Sequence, residues 1–159
     1  MAQIVSAVVT NAWRTKLARI YAGLDSFALP LAFKIAEGGW QIVGPDKEPI
    51  PPSVTLTDVT AGSPPFNLPG TNFIFTKLLT LADLTFTSPT RCEIRCFVAS
   101  SEANDDGFGS PPELYELGLF DTTPPALVGS GATMLVYSTF PVEIKTASKA
   151  LEHVILVDF

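Results

Sequence analysis

Apolar and polar residues keep one rhythm near the start of this chain and another over the rest of it. Trp13, Leu17, Ile20, Tyr21 and Leu24 recur at helical spacing. Thr10 or Asn11 precedes them as an N-cap, and Gly23 is placed to stop the helix. The pattern predicts one amphipathic helix of about three turns, basic along its exposed side. Beyond it the rhythm is that of strands. Segments 31–37, 40–43, 73–79, 84–87, 91–100, 114–120, 133–139 and 151–159 read as strands, with a turn at Ala82-Asp83. A charged connection holding Glu143, Lys145 and Lys149 leads into the last one. Between 44 and 72 the chain is proline-rich, and the pairs Pro51-Pro52 and Pro64-Pro65 exclude a central strand there. That stretch reads as a long loop, broken by a short strand at Val54-Thr55-Leu56. The fold class expected is therefore mainly β: an antiparallel sandwich or sheet with one N-terminal amphipathic helix and a long Pro-rich loop. A length of 159 residues suits a single domain over 1–159.

Composition then narrows the functions. Charged residues are 16% of the chain, below the roughly 25% common in soluble domains. So sparse a charge fits either a surface partly covered by a partner or β-faces rich in Thr and Ser. The net charge of −6 argues against a nucleic-acid binder, because phosphate contacts need clustered Lys and Arg. Only Arg14, Lys16 and Arg19 fall close together, on the helix. No apolar run has the roughly 18–20 residues of a membrane-spanning helix. The first residues carry no basic region of a signal peptide, so synthesis in the cytoplasm, without membrane insertion, is expected.

Candidate chemistry is thin. Cys92 and Cys96 lie four apart on a strand, about 13 Å from each other. That excludes a mutual disulfide or a shared metal and leaves buried apolar fillers. His153, the one histidine, alternates onto the face of Leu151, Ile155, Val157 and Phe159, as a packed strand residue does. Glu113 and Glu116 are three apart and point to opposite faces, which is wrong for an acid/base couple. Asn104, Asp105 and Asp106 before Gly107 offer hard oxygens to a cation, or simply the backbone geometry of a turn. Gly129 and Gly131 suit turns or bulges. The expectation is a non-enzyme with no catalytic residue, cofactor or metal.

The order of these pieces resembles the phage tail-collar fibre family, the N-terminal attachment domain of tail fibres, and its small baseplate-associated homologues in contractile injection systems. The matching residues are Val9-Thr10-Asn11-Ala12 leading into the helix and Phe33-Lys34-Ile35-Ala36-Glu37-Gly38-Gly39 before the Pro-rich stretch. Phe75-Thr76-Lys77 then precedes the Leu84-Thr85-Phe86 strand. Tyr115-Glu116-Leu117-Gly118-Leu119-Phe120-Asp121 is similar to the family's best signature, with Glu116, Gly118 and Asp121 as its structural residues. Gly118 there would let a bulky ring or a backbone approach closely. The resemblance implies a virion structural protein, homo-oligomeric and trimeric in fibres, that contacts other tail or baseplate proteins and fibre subunits in the assembled tail. Family fibres continue into a shaft, whereas this chain stops at Phe159. The expectation is accordingly a part that attaches fibres or peripheral components to the baseplate.

Two surfaces are candidates for that contact. One is the Pro-rich loop with Trp40, Ile50, Val54, Phe66 and Leu68 as apolar anchors. The other is the basic helix face of Arg14, Lys16 and Arg19. The competing expectation is a carbohydrate- or receptor-binding β-module using Trp40, Tyr115 or Phe108. A third, a small hydrolase, would need His153 or the carboxylates and a pocket beside them.

Overall fold

The computed structural model describes residues 3–4, 7–26, 31–55, 73–106, 109–121 and 133–158. Among them are the strands β1 (Gln3–Ile4), β2 (Ala7–Val9), β3 (Leu31–Ala36), β4 (Trp40–Val43), β5 (Asp46–Pro49) and β6 (Ile74–Leu78). A 3-10 turn at Leu81–Asp83 leads to β7 (Leu84–Ser88), β8 (Arg91–Val98), β9 (Glu113–Asp121), β10 (Thr133–Ile144) and β11 (Leu151–Asp158). The helix α1 (Asn11–Tyr21) lies between β2 and β3.

The strands form a four-stranded sheet in the order β1-β11-β8-β7, a five-stranded sheet in the order β2-β10-β9-β3-β6, and a separate hairpin of β4 and β5. Pairing is antiparallel throughout except for β1, which runs parallel to β11. Alternation along β8 buries Cys92, Ile94, Cys96 and Val98. These join Leu151 and Ile155 of β11 in one apolar cluster with Phe33, Ile35, Leu117, Leu119, Val136 and Phe140 of the other sheet. The chain is thus mainly β and sandwich-like. Truncating a fully buried member such as Leu117 to alanine should cost about 2–5 kcal/mol.

A smaller buried cluster of Ala36, Phe120, Met134 and Tyr137 lies apart from that core. Gly118 belongs to it, since a Cβ there would stand 2.7 Å from the Phe120 ring and 3.1 Å from Met134 Sδ. The close approach that the sequence assigns to Gly118 is to a ring two residues along its own strand.

Several elements differ from the sequence pattern. Thr10 caps α1, its hydroxyl accepting from Trp13 N–H at 3.2 Å, and Gly23 ends it at φ +70°. The helix nevertheless buries no residue fully, and Tyr21 and Leu24 are 89% and 67% exposed. It meets the sandwich through the packing of Trp13 on the main core, the backbone bond of Thr10 to Leu135 and the ion pair of Lys16 with Asp121. Of the expected strand Val54-Thr55-Leu56, Val54 and Thr55 form a turn, and Leu56 lies outside the described residues. Strand β10 continues past Thr139 to Ile144, because a register shift between Thr139 and Glu143 accommodates Pro141. Strands β1, β2 and β5 have no counterpart in the expected pattern. Among the described residues no helix is long and apolar enough to cross a membrane.

Candidate functional site

The region of most chemical interest surrounds the hairpin. Val43 pairs with Asp46, which leaves Gly44-Pro45 as a two-residue turn with Gly44 at φ +66°. Glycine at the first central position supplies the positive φ of the tight turns that match strand twist. Every residue from Gln41 to Glu48 is exposed, so the hairpin stands off the sandwich. Its root is fixed at both sides. Trp40 is buried, Ile50 N–H bonds to Gly39 O at 2.9 Å, and Thr139 Oγ1 donates to Ile50 O at 2.6 Å. Gly39, at φ +81°, lies so close to β9 that a Cβ would come 2.7 Å from Glu116 Cβ.

Beside the hairpin is a cleft of about 210 Å3 lined by Glu37, Trp40, Lys47, Asp106, Ser110, Pro111, Glu113 and Tyr115. Trp40 and Tyr115 pack with ring centroids 6.1 Å apart. Lys47 reaches in from β5, its Nζ 4.8 Å from the Trp40 ring centre and 5.7 Å from that of Tyr115. The same ammonium donates to Glu113 Oε2 at 2.6 Å, and Tyr115 O–H donates to that oxygen at 3.1 Å. Lys47 beside Glu113 holds its carboxyl below the usual range. Burial, with Glu113 next to it, pushes the Tyr115 phenol up.

Glu37 is buried deeper. Its Oε1 accepts from Glu113 N–H at 3.1 Å and its Oε2 from Phe73 N–H at 3.4 Å, which ties the starts of β6 and β9 together. Burial raises its pKa despite those bonds. Both Glu37 oxygens are occupied by backbone amides, and Glu113 already accepts from an ammonium and a phenol. The arrangement is that of a cation holder: aromatic walls, carboxylate acceptors and one ammonium in place.

A second lysine is sealed instead of open. Lys145 is fully buried, and its Nζ donates to Asn104 Oδ1 at 2.6 Å, Thr146 O at 2.9 Å and Ser100 O at 3.3 Å. Burial lowers its pKa. The 100–106 loop therefore turns two oxygens, Ser100 O and Asn104 Oδ1, towards the chain's own ammonium. Asp105 and Asp106 accept from Gly109 and Ser110 N–H at 3.1 Å, in the manner of a turn. Among the described residues no group of His, Cys, Asp and Glu is arranged to hold a metal.

The other residues singled out from the sequence are scattered. Trp40 is 8% exposed, so it roots the hairpin and cannot serve as a protruding anchor. Ile50 and Val54 are half-buried, and Val54 O accepts from Asn11 N–H at 2.8 Å. Phe66, Leu68 and Phe108 lie outside the described residues. On α1, Lys16 is spent on Asp121 and Arg19 reaches Asp25 at 3.5 Å, while Arg14 is exposed. The helix thus does not present the three cations as one free patch. Asp121 also accepts from Thr133 N–H at 2.6 Å. Glu116 is fully buried and accepts from Tyr137 O–H at 2.7 Å.

His153 is fully buried, its ring centre 4.5 Å from that of Phe140, with no hydrogen-bond partner on either nitrogen. Burial first, and Lys149 second, lower its pKa to about 4. It lines neither this cleft nor the apolar one between the sheets, so no substrate reaches it through them. Cys92 and Cys96 are free and buried, and burial raises both thiol pKa values.

The residues missed by sequence reasoning are Ile42, Val43 and Lys47. Gly44-Pro45 was the available signal, a two-residue hairpin turn flanked by an apolar run on one side only. No family model, no curated protein and no solved structure matches this chain.

Proposed function

We propose that the chain is a non-catalytic structural subunit of a contractile phage tail or related injection particle, joining fibres or peripheral parts to the baseplate. The observation that carries this reading is the β4–β5 hairpin. It projects from the sandwich and holds Ile42 and Val43 52% and 44% exposed. Apolar side chains held in solvent on a braced hairpin suit docking against another protein. The order of tail-collar-like segments supports the choice of partner: a baseplate or fibre protein, with homo-oligomerisation on a symmetric assembly. In this reading the signature residues Glu116, Gly118 and Asp121 brace the scaffold and touch no partner.

One observation favours a second reading, a carbohydrate- or receptor-binding module at the particle tip. Trp40 and Tyr115 line an open cleft with carboxylates nearby. Lys47 lies over both rings, however, and a sugar would have to displace it.

The test is fractionation. Particles sedimented from the producing cells should contain the chain at fixed stoichiometry with sheath and baseplate proteins, by quantitative mass spectrometry. Recovery only in the unsedimented fraction would overturn the proposal.

A further inference from the structure

We infer that the cleft under the hairpin is a socket for an arginine side chain of a partner polypeptide, and that Lys47 occupies it as a replaceable stand-in. The inference borrows from the attachment reading only the partner's protein nature, and it is tested on the isolated chain.

The walls already hold a cation. Lys47 Nζ lies over Trp40 and Tyr115 and on Glu113 Oε2, so each contact that would recognise a guanidinium is occupied by an ammonium. That ammonium is weakly held. The side chains of Lys47 and Glu113 are 41% and 45% exposed, and an ion pair so open to water contributes little net stability. Lys47 also rides on β5, whose residues up to Glu48 are exposed, so it can swing outward without disturbing the core.

A guanidinium suits the place better than an ammonium. Its plane stacks on an indole face, and its fork can bond both oxygens of one carboxylate. Among the ionisable groups lining the cleft other than Tyr115, three are carboxylates (Glu37, Asp106 and Glu113) and one is an ammonium. The balance favours a cationic visitor over an acidic one. Glu37 would act through position: its bonds to Glu113 and Phe73 N–H fix the strand that carries Glu113. A sugar could use the aromatic walls too, but it gains nothing from displacing a cation off Glu113.

The experiment is an NMR titration of the 15N-labelled chain with N-acetyl-arginine methylamide. Saturable shifts are expected at the Trp40 indole N–H, Tyr115 and the hairpin amides. Lys47→Ala should tighten binding by about threefold or more, because the competitor is gone. Arg95→Ala makes the same charge change away from the cleft and should leave the affinity unchanged. Glu113→Gln should weaken binding about tenfold. The assignment is overturned if Lys47→Ala fails to tighten or Glu113→Gln binds as wild type. It is equally overturned if N-acetyl-lysine methylamide binds as well, or if chitohexaose shifts these resonances while the arginine derivative does not. The amide spectra of each variant report its fold in the same experiment.

Discussion

Lys145 and Lys47 both end among oxygen acceptors, and they differ in access to water. Lys145 is fully buried with three acceptors around it, two of them backbone carbonyls. Lys47 is 41% exposed and shares its one hydrogen-bonded carboxylate oxygen with Tyr115. A sealed cation is part of the fold, because removing it strands acceptors that water cannot reach. An open cation can be exchanged, because water or another cation takes its place. The chain thus has one lysine that builds a loop and one that holds a cleft.

The largest expected effect is at the sealed site. Lys145→Met should lower unfolding free energy by about 3–4 kcal/mol in urea titration, since Asn104 and two carbonyls lose their donor. A loss below about 1 kcal/mol would mean that the 100–106 loop holds itself and that the contrast with Lys47 is false.

His153 sharpens the comparison, as a buried group with no hydrogen-bond partner, its Nε2 3.9 Å from Glu143 Oε2. Its folded pKa of about 4 lies below its ordinary 6.5, so the folded state favours the neutral ring. Its contribution is complete above about pH 6.5 and is lost as pH falls from there towards 4. The loss should reach on the order of 3 kcal/mol by pH 4. Burial raises the pKa values of Glu143 and Glu37, which acts in the opposite sense as pH rises through their range, so the single-residue difference is the useful quantity. Between about pH 6.5 and 4 the wild type should lose that much stability relative to His153→Leu. An unchanged pH dependence in that variant would assign acid sensitivity to the carboxylates.

Tyr137→Phe asks whether a single neutral donor matters as much as an ammonium. It removes the phenol bonded to the fully buried Glu116 and should cost about 1–3 kcal/mol by thermal or urea unfolding. A neutral result would show Glu116 satisfied without it. The smallest effect belongs to the open site: Lys47→Met should change stability by no more than about 1 kcal/mol while speeding hydrogen exchange in the hairpin amides. A loss as large as that of Lys145→Met would make Lys47 structural and remove the basis for its exchange.

Much of the sandwich was legible because its cues are local. The alternation of Arg91 to Val98 and of Leu151 to Asp158 marks half-buried strands, and Thr10 with Gly23 brackets the helix. The placement of His153 inside the sheet follows from the same alternation. The hairpin was less legible, because Asp-Lys-Glu-Pro of β5 carries no apolar rhythm. It is a strand only because the Gly44-Pro45 turn returns it beside Trp40–Val43. Helical periodicity likewise says that Tyr21 and Leu24 share a face with Trp13. It does not say that the sandwich ends before reaching them. The cleft draws on four separated stretches, around Glu37, Lys47, Asp106 and Glu113, which no spacing rule connects. Trp40 read as an exposed anchor because an aromatic next to a proline-rich loop looks the same in sequence whether it roots that loop or caps it.

In the proposed function the hairpin is the docking element and the sandwich its support. The double substitution Ile42→Asp and Val43→Asp tests it most directly, with incorporation into sedimented particles measured beside the unfolding midpoint of the isolated chain. Both side chains are in solvent, so the midpoint should stay within about 1 kcal/mol of wild type while incorporation falls to background. Undiminished incorporation of the folded double variant would contradict the claim.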